Sequence, residues 1–285
     1  MKPAPFAYDA PPSLDAALAV LAQHGDEATV LAGGQSLVPL LNFRLARPAL
    51  VVDINRLEEL AYLRRPNHAL RIGALTRMRT LEHSELVASR WPVLGEAARF
   101  VGHPQIRSRG TVGGSVAHAD PAAELPVVLT ALDARFHLRS ARGARVVGAR
   151  ELFVTYLTTS IQPDELLVEI EVPPVRPGTG AAFVEHARVH GDFALAGAAA
   201  VVVLDPTGAC ADASIALLGA APVPARATRA EDVLVGARLD DESVREAAAE
   251  AVRDVEPAGD VRYRRALLEE LVRRTLVTAR ERGAA

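Results

Sequence analysis

Two glycine pairs, Gly33-Gly34 and Gly113-Gly114, are the residues whose type and spacing could do chemistry. Each follows a small or apolar residue and precedes a hydroxyl, Ser36 in the first case and Ser115 in the second. Glycine has no Cβ, so a ligand can approach its backbone closely, and it reaches dihedrals that turn successive N–H groups the same way. Such a nest near a helix N-terminus suits a phosphate. Two nests far apart in sequence could clamp one pyrophosphate from both sides. The sequence contains neither Gly-x-Gly-x-x-Gly nor Gly-x-x-x-x-Gly-Lys-Ser/Thr, so a Rossmann turn or a P-loop is not supported. On residue type alone a second reading stands beside the phosphate site. A Gly-Gly pair also makes a tight turn, and the hydroxyl after it caps a helix.

The other reactive side chains exclude more than they suggest. His103, His118, His186 and His190 lack tight metal-ligand spacing, so no metal site is expected. Arg107 and Arg109 read as readily as paired or solvated arginines as they do as phosphate contacts. The single cysteine, Cys210, excludes an internal disulfide and any iron–sulfur cluster or zinc site built from cysteines of this chain alone. It reads as an unreactive filler beside a turn. No group stands out as a general base acting on a substrate, so no catalytic residue is assigned. The formal net charge is -3, which gives no reason to expect nucleic acid or an anionic membrane as a partner. Lys2 is the only lysine among 32 lysines and arginines, so a cation on a phosphate must be an arginine or a backbone dipole. No apolar run reaches the roughly 18 residues of a membrane span. Met1-Lys2-Pro3-Ala4-Pro5 lacks the apolar core of a secretory signal. With no disulfide, a reducing cytoplasm is the expected location.

The elements that must position the glycines follow from periodicity. Leu14, Ala17, Leu18 and Leu21 have helical spacing, with Ser13 as the cap and Gly25 as the stop. Residues 28–32 (ATVLA) predict a buried strand running into the first glycine pair. A short helix over 37–41 and a second buried strand over 50–54 complete a β–turn–α–β unit. Residues 62–75 predict a hairpin around Pro66-Asn67, and 76–100 a helix in two pieces broken near Trp91-Pro92. The stretch 102–126 shows little helical periodicity in its first half, whereas 124–132 predicts a helix. Residues 135–140 and 145–147 predict a hairpin, and 165–172 (ELLVEIEV) alternates as a strand. Pro173-Pro174-Val175-Arg176-Pro177-Gly178-Thr179-Gly180 reads as a linker. Strands are predicted over 181–188, 194–204 and 213–218, with a turn at 205–208, and a final helix over about 262–280 with Leu267, Leu268, Leu271 and Leu276 on one face.

Longer stretches around the glycines carry a resemblance. Residues 32–55 (AGGQSLVPLLNFRLARPALVVDIN) and 103–126 (HPQIRSRGTVGGSVAHADPAAELP) resemble the two flavin loops of the FAD-binding medium subunits of the xanthine and carbon monoxide dehydrogenase family. Residues 183–202 (FVEHARVHGDFALAGAAAVV) resemble the start of that family's C-terminal domain. The resemblance implies an α+β chain. A two-subdomain PCMH-type FAD-binding domain over 1–176, with subdomains of about 1–56 and 57–176, would precede a smaller domain over 177–285 built from a three-stranded antiparallel sheet plus helices.

The resemblance also implies one FAD, bound non-covalently. Ala32, Gly33, Gly34, Gln35, Ser36 and Leu37 would form the first phosphate loop, and Gly110, Thr111, Gly113, Gly114 and Ser115 the second. His118 would lie near the phosphate or ribitol and Glu124 near the adenosine ribose. Val101, Leu167 and Phe193 would complete the site, the last two against the flavin. Gln35 stands where the family commonly has histidine, Ser108 where it has asparagine, and Phe193 where tyrosine is frequent. Only Phe193 changes the available chemistry, by lacking a hydroxyl. An iron–sulfur small subunit with [2Fe–2S] clusters and a molybdopterin-binding large subunit are the implied partners, assembled as a dimer of heterotrimers. Electrons would pass from the clusters through FAD to an external acceptor. Two alternatives are a self-contained flavin oxidase or dehydrogenase, and a flavin-free interaction subunit. A flavin spectrum and the activity of the isolated chain separate the three.

Overall fold

The computed structural model describes residues 2–189 and 191–284. The first layer is a three-stranded parallel sheet in which Leu50–Asp53 lies between Ala7–Asp9 and Ala28–Leu31. Helix Leu14–His24 covers it. The Ser13 hydroxyl caps this helix, accepting from the Ala16 N–H at 3.2 Å, and Gly25 ends it at φ +51°. Its stripe of Leu14, Ala17, Leu18 and Leu21 packs with Val52 and Ile54, and also with Leu166 and Val168 of the next sheet. The first loop therefore sits at a seam between two layers.

The second layer is a five-stranded antiparallel sheet. Its order is Leu63–Arg64, Leu70–Gly73, Leu166–Val172, Arg135–Ser140 and Gly143–Gly148. Helices Pro92–Phe100 and Glu124–Ala131 lie among the buried side chains around Trp91, Phe136 and Ile170. The Trp91 indole donates to the Pro173 carbonyl at 3.1 Å, so a buried polar atom fixes the end of the central strand.

The third layer is an antiparallel sheet of Thr179–His186, Ala196–Leu204 and Cys210–Leu218, extended by the two-residue strand Ala225–Arg226. Helix Val261–Gly283 lies along its first two strands, burying Leu268, Leu271 and Leu276. The approach is closest at Gly180, where a Cβ would stand 1.8 Å from the Ala279 carbonyl oxygen. On its other face the sheet meets the helices of the second layer. Phe183, Ala199, Ala216 and Leu218 belong to the same buried cluster as Trp91 and Phe136. Phe100 and Phe183 meet edge-on with centroids 5.8 Å apart, and the Ser214 hydroxyl donates to the Ala131 carbonyl at 2.6 Å.

Several expectations need correction. Residues 102–126 are largely helical, as Pro104–Arg109, Val112–His118 and the start of Glu124–Ala131. The first two are under two turns long, and Gly113 presses its backbone on Ala74, so small residues hide the helical pattern. Residues 76–100 form three helices, Met78–Glu82, Glu85–Arg90 and Pro92–Phe100. The extra break falls at Ser84, whose hydroxyl caps the second by accepting from the Val87 N–H. The proline-rich stretch 173–180 already enters the third sheet at Thr179, because Thr179 pairs with Val203.

Candidate functional site

The first loop follows strand Ala28–Leu31. Its carbonyls are tied down within the protein: the Asn55 amide donates to Ala32 O at 2.6 Å, and the Gln35 amide donates to Gly33 O at 3.0 Å. Gly34 then turns the chain at φ +72° before helix Leu37–Asn42 begins. Among the described residues, the backbone N–H groups of Gly33, Gly34, Gln35, Ser36 and Leu37 donate to no protein acceptor. Five successive donors without protein partners, at a partly exposed turn leading into a helix, are the groups an anion would accept from.

The second loop packs directly against the first. A Cβ on Gly33 would lie 2.6 Å from Arg109 O, 2.8 Å from Gly110 Cα and 3.0 Å from Thr111 N. One on Gly114 would meet Ala32 Cβ at 3.9 Å, and one on Gly110 would meet Gln35 Cγ at 3.9 Å. The fold thus brings together two motifs nearly eighty residues apart in sequence. The loops are not equivalent nests, however. The Gly113 N–H donates to Ala74 O, the Gly114 N–H to the Thr111 hydroxyl at 3.1 Å, and the Ser115 N–H to Thr111 O. The Thr111 N–H, which faces the first loop, has no protein acceptor among the described residues. The second glycine pair therefore supplies close packing more than free donors.

A polar clasp joins the loops from behind. Asn55 holds Ala32 O with its amide nitrogen, and its amide oxygen accepts from Arg77 Nη2 at 2.8 Å. Arg77 Nη1 in turn donates to Arg109 O. Asp53 orients Asn55, accepting from its N–H at 2.9 Å and its amide at 2.6 Å, and also accepts from the Tyr8 hydroxyl at 2.7 Å. Burial opposes the charge on Asp53, yet these donors outweigh it and hold the carboxyl below its ordinary range. Burial lowers the Arg77 guanidinium, with Arg109 adding to that effect and Asp53 opposing it. Sequence reasoning did not assign Asn55 or Arg77 to the site. Asn55 had a signal, an amide directly after the buried strand at the end of the first motif. Arg77 had none.

The remaining assigned residues surround this core unevenly. Leu37, Val101, Ser115 and His118 are half-buried, and Ser36 is exposed. Leu167 is buried within the core at 6% exposure, whereas Phe193 is exposed at 70%. The loop carrying Phe193 is set against the start of the second motif: a Cβ on Gly191 would stand 2.6 Å from the His103 ring. Glu124 begins helix Glu124–Ala131 at 7% exposure, and burial pushes its carboxyl up to about 7. Arg107 does not face the loops. It pairs with Glu82 at 2.8 Å and donates to the Gly102 carbonyl at 3.0 Å. Burial raises the Cys210 thiol, whose Sγ contacts the Asp212 carbonyl at 3.2 Å. His190 lies outside the described residues. Among the described residues no group of three or more His, Cys, Asp and Glu could hold a metal ion, and no helix is long and apolar enough to cross a membrane. A surface cavity of about 610 Å³ lies elsewhere, beside Asp133, Arg135, Gly148 and Arg150.

These residues fit a cofactor bearing a pyrophosphate. Backbone N–H groups are the available donors for such a group, which suits a chain with a single lysine. The glycines leave room for no side chain where the two backbones meet.

Comparison with known proteins agrees in sequence and in fold. The family described as "FAD binding domain in molybdopterin dehydrogenase" matches residues 4–175, and "CO dehydrogenase flavoprotein C-terminal domain" matches residues 181–279. The 6-hydroxypseudooxynicotine dehydrogenase complex subunit alpha of Paenarthrobacter nicotinovorans is 47% identical, over 99% of this chain and 97% of that protein. The carbon monoxide dehydrogenase medium chain of Hydrogenophaga pseudoflava is 38% identical over the full length of both. The solved structure of carbon monoxide dehydrogenase from Hydrogenophaga pseudoflava lacking the Mo-pyranopterin moiety superimposes with a TM-score of 0.96, at 40% identity and over 99% of each chain.

Proposed function

The chain belongs to the FAD-binding medium subunits of the molybdopterin dehydrogenase family, and from that premise we propose that it carries electrons from [2Fe–2S] clusters on a partner subunit, through FAD, to an external acceptor. It is a subunit of an oxidoreductase complex. The observation that carries the proposal is the run of five N–H groups from Gly33 to Leu37 that have no protein acceptor among the described residues, with Gly33 pressed against Gly110 and Thr111. Bound FAD supplies a centre that can take electrons one at a time and release them as a pair.

The chain's own residues bind and orient. Gly33, Gly34, Gln35, Ser36 and Leu37 present N–H groups to the pyrophosphate, with Ala32 held in place by Asn55. Thr111 adds one N–H from the second loop, while Gly110, Gly113, Gly114 and Ser115 keep that loop close and free of bulk. Val101 and His118 border the loops, and Glu124 accepts from a hydroxyl of the adenosine ribose. Leu167 bounds the flavin end from the core. Phe193, exposed on a loop beside His103, offers its ring to the isoalloxazine. The organic substrate is oxidised on a molybdopterin-binding large subunit, which fits a sequence in which no general base stands out. A small iron–sulfur subunit completes a heterotrimer that pairs as a dimer in the cytoplasm.

Purification of the complex through a tag on this chain tests the proposal. Iron, acid-labile sulfide and molybdopterin should copurify, and the complex's substrate should bleach the flavin only in the assembled enzyme. If the isolated chain were reduced by an organic substrate at a comparable rate, the self-contained flavoenzyme would replace this reading.

A further inference from the structure

Arg107 belongs to the second motif yet turns away from both loops, and its side chain is 8% exposed. It sits between a carboxylate and the end of a helix. On one side Nε donates to Glu82 Oε2 at 2.8 Å, with Nη2 3.5 Å from Oε1, and the Glu82 side chain is itself only 11% exposed. On the other side Nη1 donates to Gly102 O at 3.0 Å, and the Arg99 and Val101 carbonyls stand at 3.3 and 3.4 Å. Helix Pro92–Phe100 ends here, and a cation suits the carbonyls at a helix C-terminus.

The carbonyl that Arg107 holds most closely is part of a shelf. Gly102 turns at φ +49°, and a Cβ there would lie 2.8 Å from Ile106 Cδ1, so Ile106 fills the space a side chain would need. The loop between strands Thr179–His186 and Ala196–Leu204 rests on this turn. A Cβ on Gly191 would stand 2.6 Å from His103 Cε1 and 3.2 Å from Gly102 O. The base of the loop is closed by the Leu195 N–H, which donates to His186 O at 2.8 Å. Asp192 Oδ1 accepts from the Phe193 N–H at 2.9 Å. Phe193 thus lies two residues from the point where the loop touches the shelf, with its ring exposed.

We propose that Arg107, oriented by Glu82, is a positioning residue for the flavin end of the site: it fixes Gly102 O, on which the Phe193 loop rests, and so sets where the Phe193 ring meets the isoalloxazine. The inference rests on the reading of Phe193 as a flavin contact. The planar guanidinium carries five donors in fixed directions, so it serves a carboxylate and a carbonyl at once. Lysine would keep the charge without the fork. A desolvated ion pair adds little net stability, so orientation is its principal contribution. Glu82 closes helix Met78–Glu82, which begins at the Arg77 clasp, where the Met78 N–H donates to Gly110 O at 3.0 Å. This short helix therefore ties the phosphate loops at one end to Arg107 at the other, and both ends of the cofactor site share one frame.

The test uses the full chain loaded with FAD. Cys210 is 1% exposed and Val189 is 65% exposed, so a nitroxide attached through Val189→Cys reports the loop. Arg107→Lys should shift the nitroxide spectrum towards that of a mobile segment and raise the quenching of flavin fluorescence by iodide. Phe193→Ala should raise the quenching likewise, and adding Arg107→Lys to it should raise it no further, because both act through one contact. FAD affinity of Arg107→Lys should weaken no more than that of Phe193→Ala, since the N–H groups from Gly33 to Leu37 lie outside these contacts. An arginine that only stabilised the fold would lower the melting temperature and leave the flavin as shielded as in the parent. If Phe193→Ala raises the quenching and Arg107→Lys does not, or if the two effects add, the positioning role is refuted while the place of Phe193 stands. If Arg107→Lys loosens the loop but Phe193→Ala leaves the quenching unchanged, the reading of Phe193 fails and the proposal with it. Should Arg107→Lys not fold, Gly191→Ala drives a methyl group against His103 and leaves the ion pair intact. It should give the same two signals, and a parent-like nitroxide spectrum and quenching would overturn the shelf.

Discussion

At the scale of single residues, the site depends on what glycine lacks and on what Asn55 holds. Gly33→Ala places a methyl group against the backbone of Arg109 and Gly110, atoms that cannot rotate away. It should part the loops and abolish FAD retention, whereas Ser115→Ala should cost at most about tenfold, one hydrogen bond being worth roughly 0.5–1.5 kcal/mol. Titrating FAD into the refolded variants checks both, and equal affinities would refute the packing argument. Asn55→Ala leaves Ala32 O and Arg77 Nη2 without the partner that Asn55 gives them. It should destabilise the protein by about 1–3 kcal/mol and weaken FAD binding together, as read by urea unfolding and titration. The glycines were legible because both motifs need close backbone approach. The division of labour between them was not. Which N–H groups stay free depends on Ala74, Thr76 and the Thr111 hydroxyl, whose contacts only the folded chain reveals.

At the scale of elements, caps and alternation were readable and small-residue packing was not. Helix Leu14–His24 follows its apolar stripe and its Ser13 and Gly25 boundaries, and Leu166–Val172 forms the predicted strand. The short helices Pro104–Arg109 and Val112–His118 carry too few apolar positions to show a period, and contacts to Ala74 and Met78 hold them in place. The contact between Gly180 and the final helix was equally invisible in sequence. Gly180→Ala would drive a methyl group into the Ala279 carbonyl and the Gly283 N–H, both backbone. It should destabilise the chain by about 1–3 kcal/mol or more through overpacking. It should also expose helix Val261–Gly283 to limited proteolysis. A melting temperature and cleavage pattern like those of the parent would contradict that packing.

At the scale of the whole molecule, the proposed division at residues 176/177 separates stretches of sequence whose cores interlock. Phe183, Ala199 and Leu218 share a cluster with Trp91 and Phe136, and Arg282 reaches back to Glu96 at 2.9 Å. The chain should therefore melt in one calorimetric transition, and residues 1–176 alone should aggregate; two resolved transitions would contradict a shared core. The same interlocking sets the loop of Phe193 against His103, at the flavin end of the proposed site. The cofactor decides every role proposed for these residues, and the most direct test is to denature the purified protein and identify what it releases. One FAD per chain, free of the polypeptide, is the predicted result. FMN, a flavin that remains attached to the chain, or no flavin even after reconstitution with FAD would contradict it.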